Sequence, residues 1–273
     1  MIKTNDLMSI LVLSCDKYRD LWDDFFTLLE KYWPDCNFKK YLATDTVEYT
    51  RPGVHVIHFG HEKNWTKCAR IAVEQIDTPF ISLFLEDAFI CREINNRIIN
   101  EDVSFANVNQ VDFLTLERKP AFLKEAQWSY YAENIVIIPP NQKYGVDTAA
   151  AIWKKDFLLD KLKMRDCNAW QFEVSLCEEA KAPGGIKGLL LYDIRAPFNI
   201  SPVEVVRLGK WRPQAIDFFQ SIGYNIHLGD RPVMSKMEVF GESLRRRFSK
   251  IKYFRKPIKR IARFLGFPVF TDD

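Results

Sequence analysis

A short apolar run that ends at two adjacent carboxylates is the feature of this sequence that most restricts its fold. The run from Pro79 to Leu85 contains a single serine and is followed directly by Glu86 and Asp87. A run this short and apolar predicts a strand buried on both faces, as in a parallel sheet. Ligands of open α/β sheets bind beyond the carboxyl ends of the strands, so both carboxylates are expected at a binding edge. They could hold a divalent metal there, although a polar turn that happens to be acidic explains the same pattern.

Strand-like and helix-like segments alternate on either side of this run. In the first part of the chain, strands are predicted at 8–13, 38–43, 54–59 and 79–85, with helices at 20–32 and 65–75. Further strands are predicted at 113–116, 134–138, 149–153 and 188–192, and two helices within 154–180 that break near 166–168. The alternation predicts an α/β fold with a mixed, mostly parallel central sheet flanked by helices.

Cysteine usage and hydropathy bear on the compartment. None of the six cysteines forms a CxxC pair or a zinc-ligand spacing, which favours buried thiols in a reducing environment. No segment reaches the roughly 18 apolar residues of a membrane span, and the first apolar stretch is too short for a signal-peptide core. A cytoplasmic protein is therefore expected.

Basic residues are concentrated at the carboxyl end of the chain. From Arg245 to Arg263 there are ten Lys or Arg and no acid, which leaves 29 Lys and Arg against 36 Asp and Glu in the rest. Apolar residues recur every three or four positions over 244–265, and Pro257 interrupts the pattern. This predicts a basic amphipathic tail over 241–273, following one domain over 1–240. The tail suits an anionic membrane surface, but a helix packed on the domain with a solvated basic face would show the same pattern.

Four short segments together resemble the nucleotide-sugar-dependent glycosyltransferases of the GT-A fold, above all bacterial enzymes of capsule and lipopolysaccharide assembly. The first is the predicted strand and loop at 10–18, and the second is Leu-Ala-Thr-Asp at 42–45. The third is Phe-Leu-Glu-Asp-Ala-Phe at 84–89, at the place of the metal motif of that family. The fourth combines 151–158 with Asn-Ala-Trp-Gln-Phe-Glu at 168–173. The resemblance implies a donor half over about 1–100 and an acceptor half over about 101–240.

The resemblance implies a role for several of these residues on the donor side. It assigns Mn²⁺ or Mg²⁺ to Asp87, with Glu86 as a second ligand, although the chain lacks the second Asp of a strict DxD motif. The substrate-binding residues that we predict on this side of the site are Ser14, Asp16, Tyr18, Asp45, Trp65, Arg70 and Lys210. Arg70 is placed near the diphosphate, but a solvent-facing helical arginine is an equal explanation. Lys210 belongs to a basic segment, 207–212, that could close over the leaving diphosphate.

The acceptor side of the predicted site contains a tryptophan and a carboxylate. Trp170 and Glu173 are three residues apart, so on a helix they share a face. Trp170 could bind a sugar ring, and Glu173 is the predicted general base of an inverting transfer. Two simpler readings remain open: Glu173 could be an acidic residue favoured near a helix N-terminus, and Asp147 could be a turn residue rather than an acceptor contact.

The function that the resemblance implies is transfer of a sugar from a nucleotide-sugar donor to a glycan, lipid-linked in our interpretation, on the inner face of the cell membrane. A sugar nucleotidyltransferase is disfavoured because the first loop lacks a glycine-rich, basic phosphate cradle. A nucleic-acid-binding protein is disfavoured because the chain outside the tail is acidic and shows no RNA- or DNA-binding motif. A non-catalytic protein of the same fold that binds a sugar or a partner stays open.

Overall fold

The computed structural model describes residues 3–118 and 129–249, which form one nine-stranded sheet with helices on both faces. Its strands are β1 Met8–Leu13, β2 Lys39–Thr44, β3 Val54–His58, β4 Phe80–Leu85, β5 Phe113–Thr115, β6 Tyr130–Ala132, β7 Ile135–Ile137, β8 Ala151–Lys154 and β9 Leu190–Asp193. A separate hairpin pairs β10 Val206–Arg207 with β11 Lys210–Trp211. The helices are α1 Trp22–Tyr32, α2 Trp65–Glu74, α3 Asn96–Asn109, α4 Lys155–Lys163, α5 Ala169–Lys181, α6 Pro213–Ser221 and α7 Lys236–Ser249.

The sheet is mixed, with its parallel part at the amino-terminal end of the chain. Its order is β3-β2-β1-β4-β8-β5-β9-β7-β6. Strands β1 to β4 are parallel neighbours, β8 runs antiparallel between β4 and β5, and β7 is antiparallel to β9 and β6. Seven of the nine strands therefore run in one direction, and the predicted fold class is confirmed.

The two faces of the sheet bury separate hydrophobic cores. Every residue of β1 is buried, and alternate side chains of a strand point to opposite faces. Ile10 and Val12 belong to the core packed by α1 and α6, whereas Leu11 and Leu13 belong to the core packed by α2, α4 and α5. Strand β1 is thus buried on both faces, because a layer of helices covers each of them.

Most of the predicted elements are found within a few residues of their expected bounds. The structure adds α3, α6, the short strand β6 and the β10–β11 hairpin, which the sequence pattern did not reveal. Helix α3 begins after Asn95, whose side chain accepts bonds from the N–H groups of Arg97 and Ile98, and it buries Ile99, Val103 and Ala106 along one face. Only a narrow stripe of α3 is apolar, so its periodic signal in the sequence is weak.

The predicted amphipathic tail lies mostly outside the described residues. Helix α7 begins at Lys236, upstream of the predicted domain boundary, and residues 250–273 are not described. An amphipathic helix over the whole of 244–265 therefore stays a prediction. Within residues 3–118 and 129–249, no helix is long and apolar enough to cross a membrane.

Candidate functional site

The carboxyl ends of three parallel strands meet at one edge of the sheet. Leu13 at the end of β1 pairs with Ala43 of β2 on one side and with Leu85 of β4 on the other. The N–H of Ser14 donates to the carbonyl of Ala43 at 2.9 Å, which keeps the chain in register one residue beyond the strand. Glu86 follows Leu85, so the predicted position of the carboxylates at this edge is confirmed.

A pocket of about 280 Å³ opens at this edge. Five of the predicted site residues line it, namely Ser14, Tyr18, Trp65, Glu86 and Asp87. The rest of the described lining is Leu13, Cys15, Leu85, Ala169, Val206, Leu208 and Gly209. The pocket thus has an acidic side beside β4, aromatic side chains from the first loop and from α2, and a border formed by the β10–β11 hairpin.

The pKa values of both pocket carboxyl groups, Glu86 and Asp87, are raised, so their surroundings disfavour negative charge. Burial raises the pKa of Glu86 above its usual range, the charge of Asp87 raises it further, and the Ser14 hydroxyl and Arg231 lower it. Burial also raises the pKa of Asp87, as does Glu204, against a lowering by Arg231. Paired carboxylates in a pocket favour a bound cation, because a positive charge between them relieves both the burial and the repulsion.

Arg231 joins the first loop to the β10–β11 hairpin beside the pocket and was not identified from the sequence. Its guanidinium forms a two-point ion pair with Asp20, with N–O distances of 2.6 and 2.7 Å, and lies 4.6 Å from the centre of the Tyr18 ring. It also donates to the carbonyl oxygens of Lys17 and Gly209, each at 3.2 Å. The side chain is only 6% exposed. Arg231 therefore fixes the hairpin against the first loop and supplies positive charge near the acidic side.

Asp16 organises the loop beside the pocket rather than lining it. Its carboxylate accepts bonds from the hydroxyls of Thr44 and Thr46 and from the N–H groups of Thr46 and Val47, while its own N–H donates to Asp45. Burial acts to raise the pKa of Asp16, but these hydrogen bonds outweigh it and the pKa is lowered to about 2. The loops after β1 and β2 are thus tied together through Asp16 and Asp45.

The Asp16→Asn variant is expected to lose stability in a pH-dependent way. Because the folded-state pKa lies below the ordinary value of 3.8, ionised Asp16 stabilises the fold above about pH 4, and this contribution disappears as the pH falls toward 2. The melting temperature of the variant should lie below that of the wild type by a constant amount from pH 8 to pH 5. That difference should shrink below pH 4. A difference that stays the same down to pH 3 would contradict the assignment, and Asp77→Asn is the exposed control.

The β10–β11 hairpin borders the pocket through its tip. Leu208 and Gly209 both have positive φ, 50° and 74°, as a two-residue hairpin turn requires, and Leu208 is 53% exposed. Lys210 lies behind the tip and pairs with Glu238 of α7 at 2.5 Å. It does not line the pocket. Lys210 is therefore neutralised by Glu238 in this structure, and its contact with a diphosphate stays a prediction.

The other basic residues of the predicted closing segment are paired in the same way. Arg207 contacts Glu204 and Glu242, and Arg212 lies 3.0 Å from Glu204 and 3.1 Å from Glu242. These ion pairs connect the hairpin to α7. The segment 207–212 is thus held by a nearby carboxylate, Glu204, and by Glu242 of α7, which lies far along the chain.

Helix α2 brings Trp65 into the pocket but directs Arg70 elsewhere. Asn64 caps the helix by accepting a bond from the N–H of Lys67, and the Trp65 ring lies 5.6 Å from the ring of Phe172. Arg70 donates to the carbonyl of Leu162 at 3.0 Å and pairs with Asp166 at 3.1 Å. Arg70 accordingly joins α2 to the end of α4, and it is not among the described residues of the pocket.

Helix α5 reaches the pocket with its first residue, Ala169. Trp170 and Glu173 are partly buried further along the helix and are not among the described lining residues. The Glu173 carboxylate accepts bonds from the N–H and the hydroxyl of Thr148, at 3.1 and 2.5 Å. Asp147 accepts a bond from the N–H of Ala149, as a turn residue does. Glu173 therefore holds the loop before β8, and its role as a base stays a prediction.

Glu86 and Asp87 are the lining residues of the pocket whose oxygen atoms suit a hard divalent cation. Within residues 3–118 and 129–249, no cluster of three or more His, Cys, Asp or Glu is arranged to hold an ion. Glu86 and Asp87 supply carboxylate oxygens, and Mg²⁺ is commonly held by one or two carboxylates together with substrate phosphates. The donor set is therefore suited to a hard divalent cation whose remaining ligands come from a phosphate group.

Comparison with known proteins gives similarity to solved structures alone. No protein-family model matches the chain, and no curated protein matches it. S. aureus TarS 1–349 matches with 14% identity and a TM-score of 0.43, covering 68% of this chain and 60% of that one. The same TarS fragment in complex with UDP-GlcNAc matches with 12% identity and a TM-score of 0.40, covering 56% and 47%. A 4-diphosphocytidyl-2C-methyl-D-erythritol synthase matches with 12% identity and a TM-score of 0.42, covering 79% and 96%.

These similarities are too low to carry a functional argument, because every TM-score lies below 0.5 and every identity below 25%. The chain also matches only 60% of the length of the TarS fragment. The residues of the pocket, and not these matches, bear on what the protein does.

Proposed function

We propose that this protein is a nucleotide-sugar-dependent glycosyltransferase whose donor binds in the pocket at the ends of β1 and β4. The observation that carries the proposal is the pair of half-buried, neighbouring carboxylates, Glu86 and Asp87, that line the pocket at the ligand-binding edge of the sheet. Tyr18 and Trp65 offer aromatic surface beside them, which suits a base or a sugar ring. The cavity of about 280 Å³ has room for part of such a donor, and the rest would extend along the open edge.

Glu86 and Asp87 are the residues that would hold a divalent metal, Mn²⁺ or Mg²⁺, in this proposal. A metal bound there would stabilise the negative charge that develops on the departing diphosphate. Ser14 and the loop organised by Asp16 and Asp45 would bind and orient the nucleoside. The Ser14 hydroxyl is itself oriented by a bond of 2.8 Å from the indole N–H of Trp22, a fully buried side chain.

The acceptor hydroxyl requires a group that accepts its proton, and Glu173 is the candidate for an inverting transfer. Glu173 lies on α5 and is not among the described residues that line the pocket. The first residue of the same helix, Ala169, borders the cavity. Trp170 would contact the acceptor sugar from the same helix. A lipid-linked glycan acceptor would explain the basic tail, with residues 244–265 holding the protein at the inner face of the cell membrane.

A nucleotide-dependent rise in melting temperature is the expected result that tests this proposal. UDP, GDP, CDP, their common sugar conjugates and the corresponding nucleoside triphosphates are added with Mn²⁺, and the same nucleotides with EDTA serve as controls. A ligand at about 100 times its dissociation constant stabilises the folded state by about 2.7 kcal/mol, which raises Tm by roughly 5 °C or more for a chain of this size. No response to any nucleotide would count against the transferase and favour a binding protein without this chemistry. A response to nucleoside triphosphates alone would favour a nucleotidyltransferase.

A further inference from the structure

Helix α7, which pairs with the hairpin that borders the pocket, presents two large apolar side chains to solvent. Met237 is 84% exposed and Phe240 is 63% exposed, and they lie three residues apart on one face of the helix. Val233, just before the helix, is 40% exposed. Exposed apolar groups clustered in this way are uncommon on a surface that has no binding role.

The orientation of α7 is fixed by contacts on another face. Ser235 and Glu238 form a reciprocal cap, in which the N–H of Ser235 donates to the Glu238 carboxylate at 2.8 Å and the N–H of Glu238 donates back to the Ser235 hydroxyl at 3.3 Å. Glu238 and Glu242 then pair with the basic residues of the β10–β11 hairpin. Because these carboxylates lie one turn apart toward the hairpin, Met237 and Phe240 are turned outward.

The charge of the adjoining sequence indicates what this face contacts. Lys236 precedes Met237, and Arg245 to Arg263 contribute ten basic residues with no acid. An apolar helix face followed at once by dense positive charge matches the interface of an anionic bilayer, where apolar groups enter the acyl boundary and cations meet the headgroups. A second copy of the chain would bring the same positive charge against itself, which disfavours self-association through this face.

We propose that Met237 and Phe240 form the insertion face of α7 at an anionic bilayer, and that the ion pairs from α7 to the hairpin hold the pocket beside that bilayer. The proposal deepens the function proposed above, since it supplies a partner for the same site and places it upstream of the predicted tail. A helix is about 10 Å across with its side chains, so a pocket bordered by a hairpin paired to α7 lies close to the lipid surface. A lipid-linked acceptor could then reach the pocket without leaving the bilayer.

The test is sedimentation of the full-length protein with vesicles of phosphatidylcholine, either alone or with one quarter phosphatidylglycerol. The variant Met237→Asp/Phe240→Asp keeps the basic tail, and the control Val108→Asp changes a residue that is 78% exposed on α3. Wild type and control should sediment with the anionic vesicles and much less with the neutral ones. The double variant should partition at least about ten-fold less, because it loses the apolar insertion and adds repelling charge.

Binding of the double variant that equals the wild type would overturn the proposal, since residues 250–273 would then account for the attachment by themselves. The proposal would also be overturned if the wild type formed dimers without lipid while the double variant was monomeric and still bound vesicles. That result would assign the apolar face of α7 to contact with a second copy of the chain. The nucleotide-dependent melting shift of the double variant should equal that of the wild type. If neither protein responded to nucleotides, the proposed function would be rejected. The vesicle experiment would still test by itself whether Met237 and Phe240 bind the bilayer.

Discussion

Replacing Asp87 by asparagine is expected to reduce divalent-dependent sugar transfer by about a hundred-fold or more and, in the same protein, to raise its melting temperature. Activity falls because one of the two carboxylates that would hold the cation is lost. Stability rises because Asp87 is half-buried beside Glu86, and removing its charge also removes the repulsion that it exerts on Glu86. Glu86→Gln should act in the same directions.

The stability half of this prediction depends on pH with a definite sign. Both carboxyls have pKa values raised above the ordinary range, so their ionised forms destabilise the folded protein, and the cost grows as the pH rises from the ordinary carboxyl range through the raised values. The melting temperature of Asp87→Asn should therefore exceed that of the wild type by more at pH 8 than at pH 5. Thermal melts without metal or nucleotide at the two pH values measure this difference.

Asp77→Asn is the matched control for both measurements. Asp77 is exposed in the loop before β4, at the opposite end of the strand that delivers Asp87. Its substitution should leave transfer and the pH dependence of stability unchanged. An Asp87→Asn variant with wild-type transfer would reject the metal role. A variant that instead melts at lower temperature, equally at both pH values, would indicate that Asp87 is a structural residue of the turn.

The edge of the sheet was predictable because its signal is local. An apolar run followed by Glu86 and Asp87 predicts both the strand and the place of the carboxylates, and the loop after β1 is similarly marked by the change from apolar residues to Ser14. Parallel pairing of β1 with β4 then places the carboxyl ends of these two strands side by side. Ser14, Glu86 and Asp87 line the pocket for this reason.

The ion pairs of Arg231, Lys210 and Arg70 were not predictable, because their partners are distant in the sequence. Arg231 comes from an irregular segment before α7 and reaches Asp20 across 211 positions, a contact that no periodicity records. Lys210 lies in a segment whose basic residues are conspicuous, yet its partner Glu238 is supplied by a helix 28 residues later. Arg70 is likewise drawn toward Asp166, which is 96 residues away in sequence. A charged residue on a surface has many possible partners, and only the tertiary fold selects among them.

Replacing Glu173 by glutamine is expected to reduce sugar transfer by about 10² to 10⁴ while nucleotide binding is retained, if Glu173 takes the proton of the acceptor hydroxyl. Glutamine keeps a carbonyl oxygen that can accept the bonds from the N–H and the hydroxyl of Thr148. The loop before β8 should therefore stay in place, and the melting temperature should change little. Single-turnover transfer and the nucleotide-dependent melting shift separate the two effects.

Thr148→Val distinguishes a base from a carboxylate that only holds the loop. Valine removes the hydroxyl that donates to Glu173 at 2.5 Å, but it leaves the carboxylate and the backbone N–H of residue 148. If Glu173 is the base, Thr148→Val should keep transfer within about ten-fold of the wild type while Glu173→Gln abolishes it. If Glu173 only supports the loop, Thr148→Val should lose stability and activity together, whereas Glu173→Gln, which keeps the accepting carbonyl oxygen, should retain both. Full activity of Glu173→Gln would show that the proton goes elsewhere, because an amide cannot accept it from the attacking hydroxyl at neutral pH.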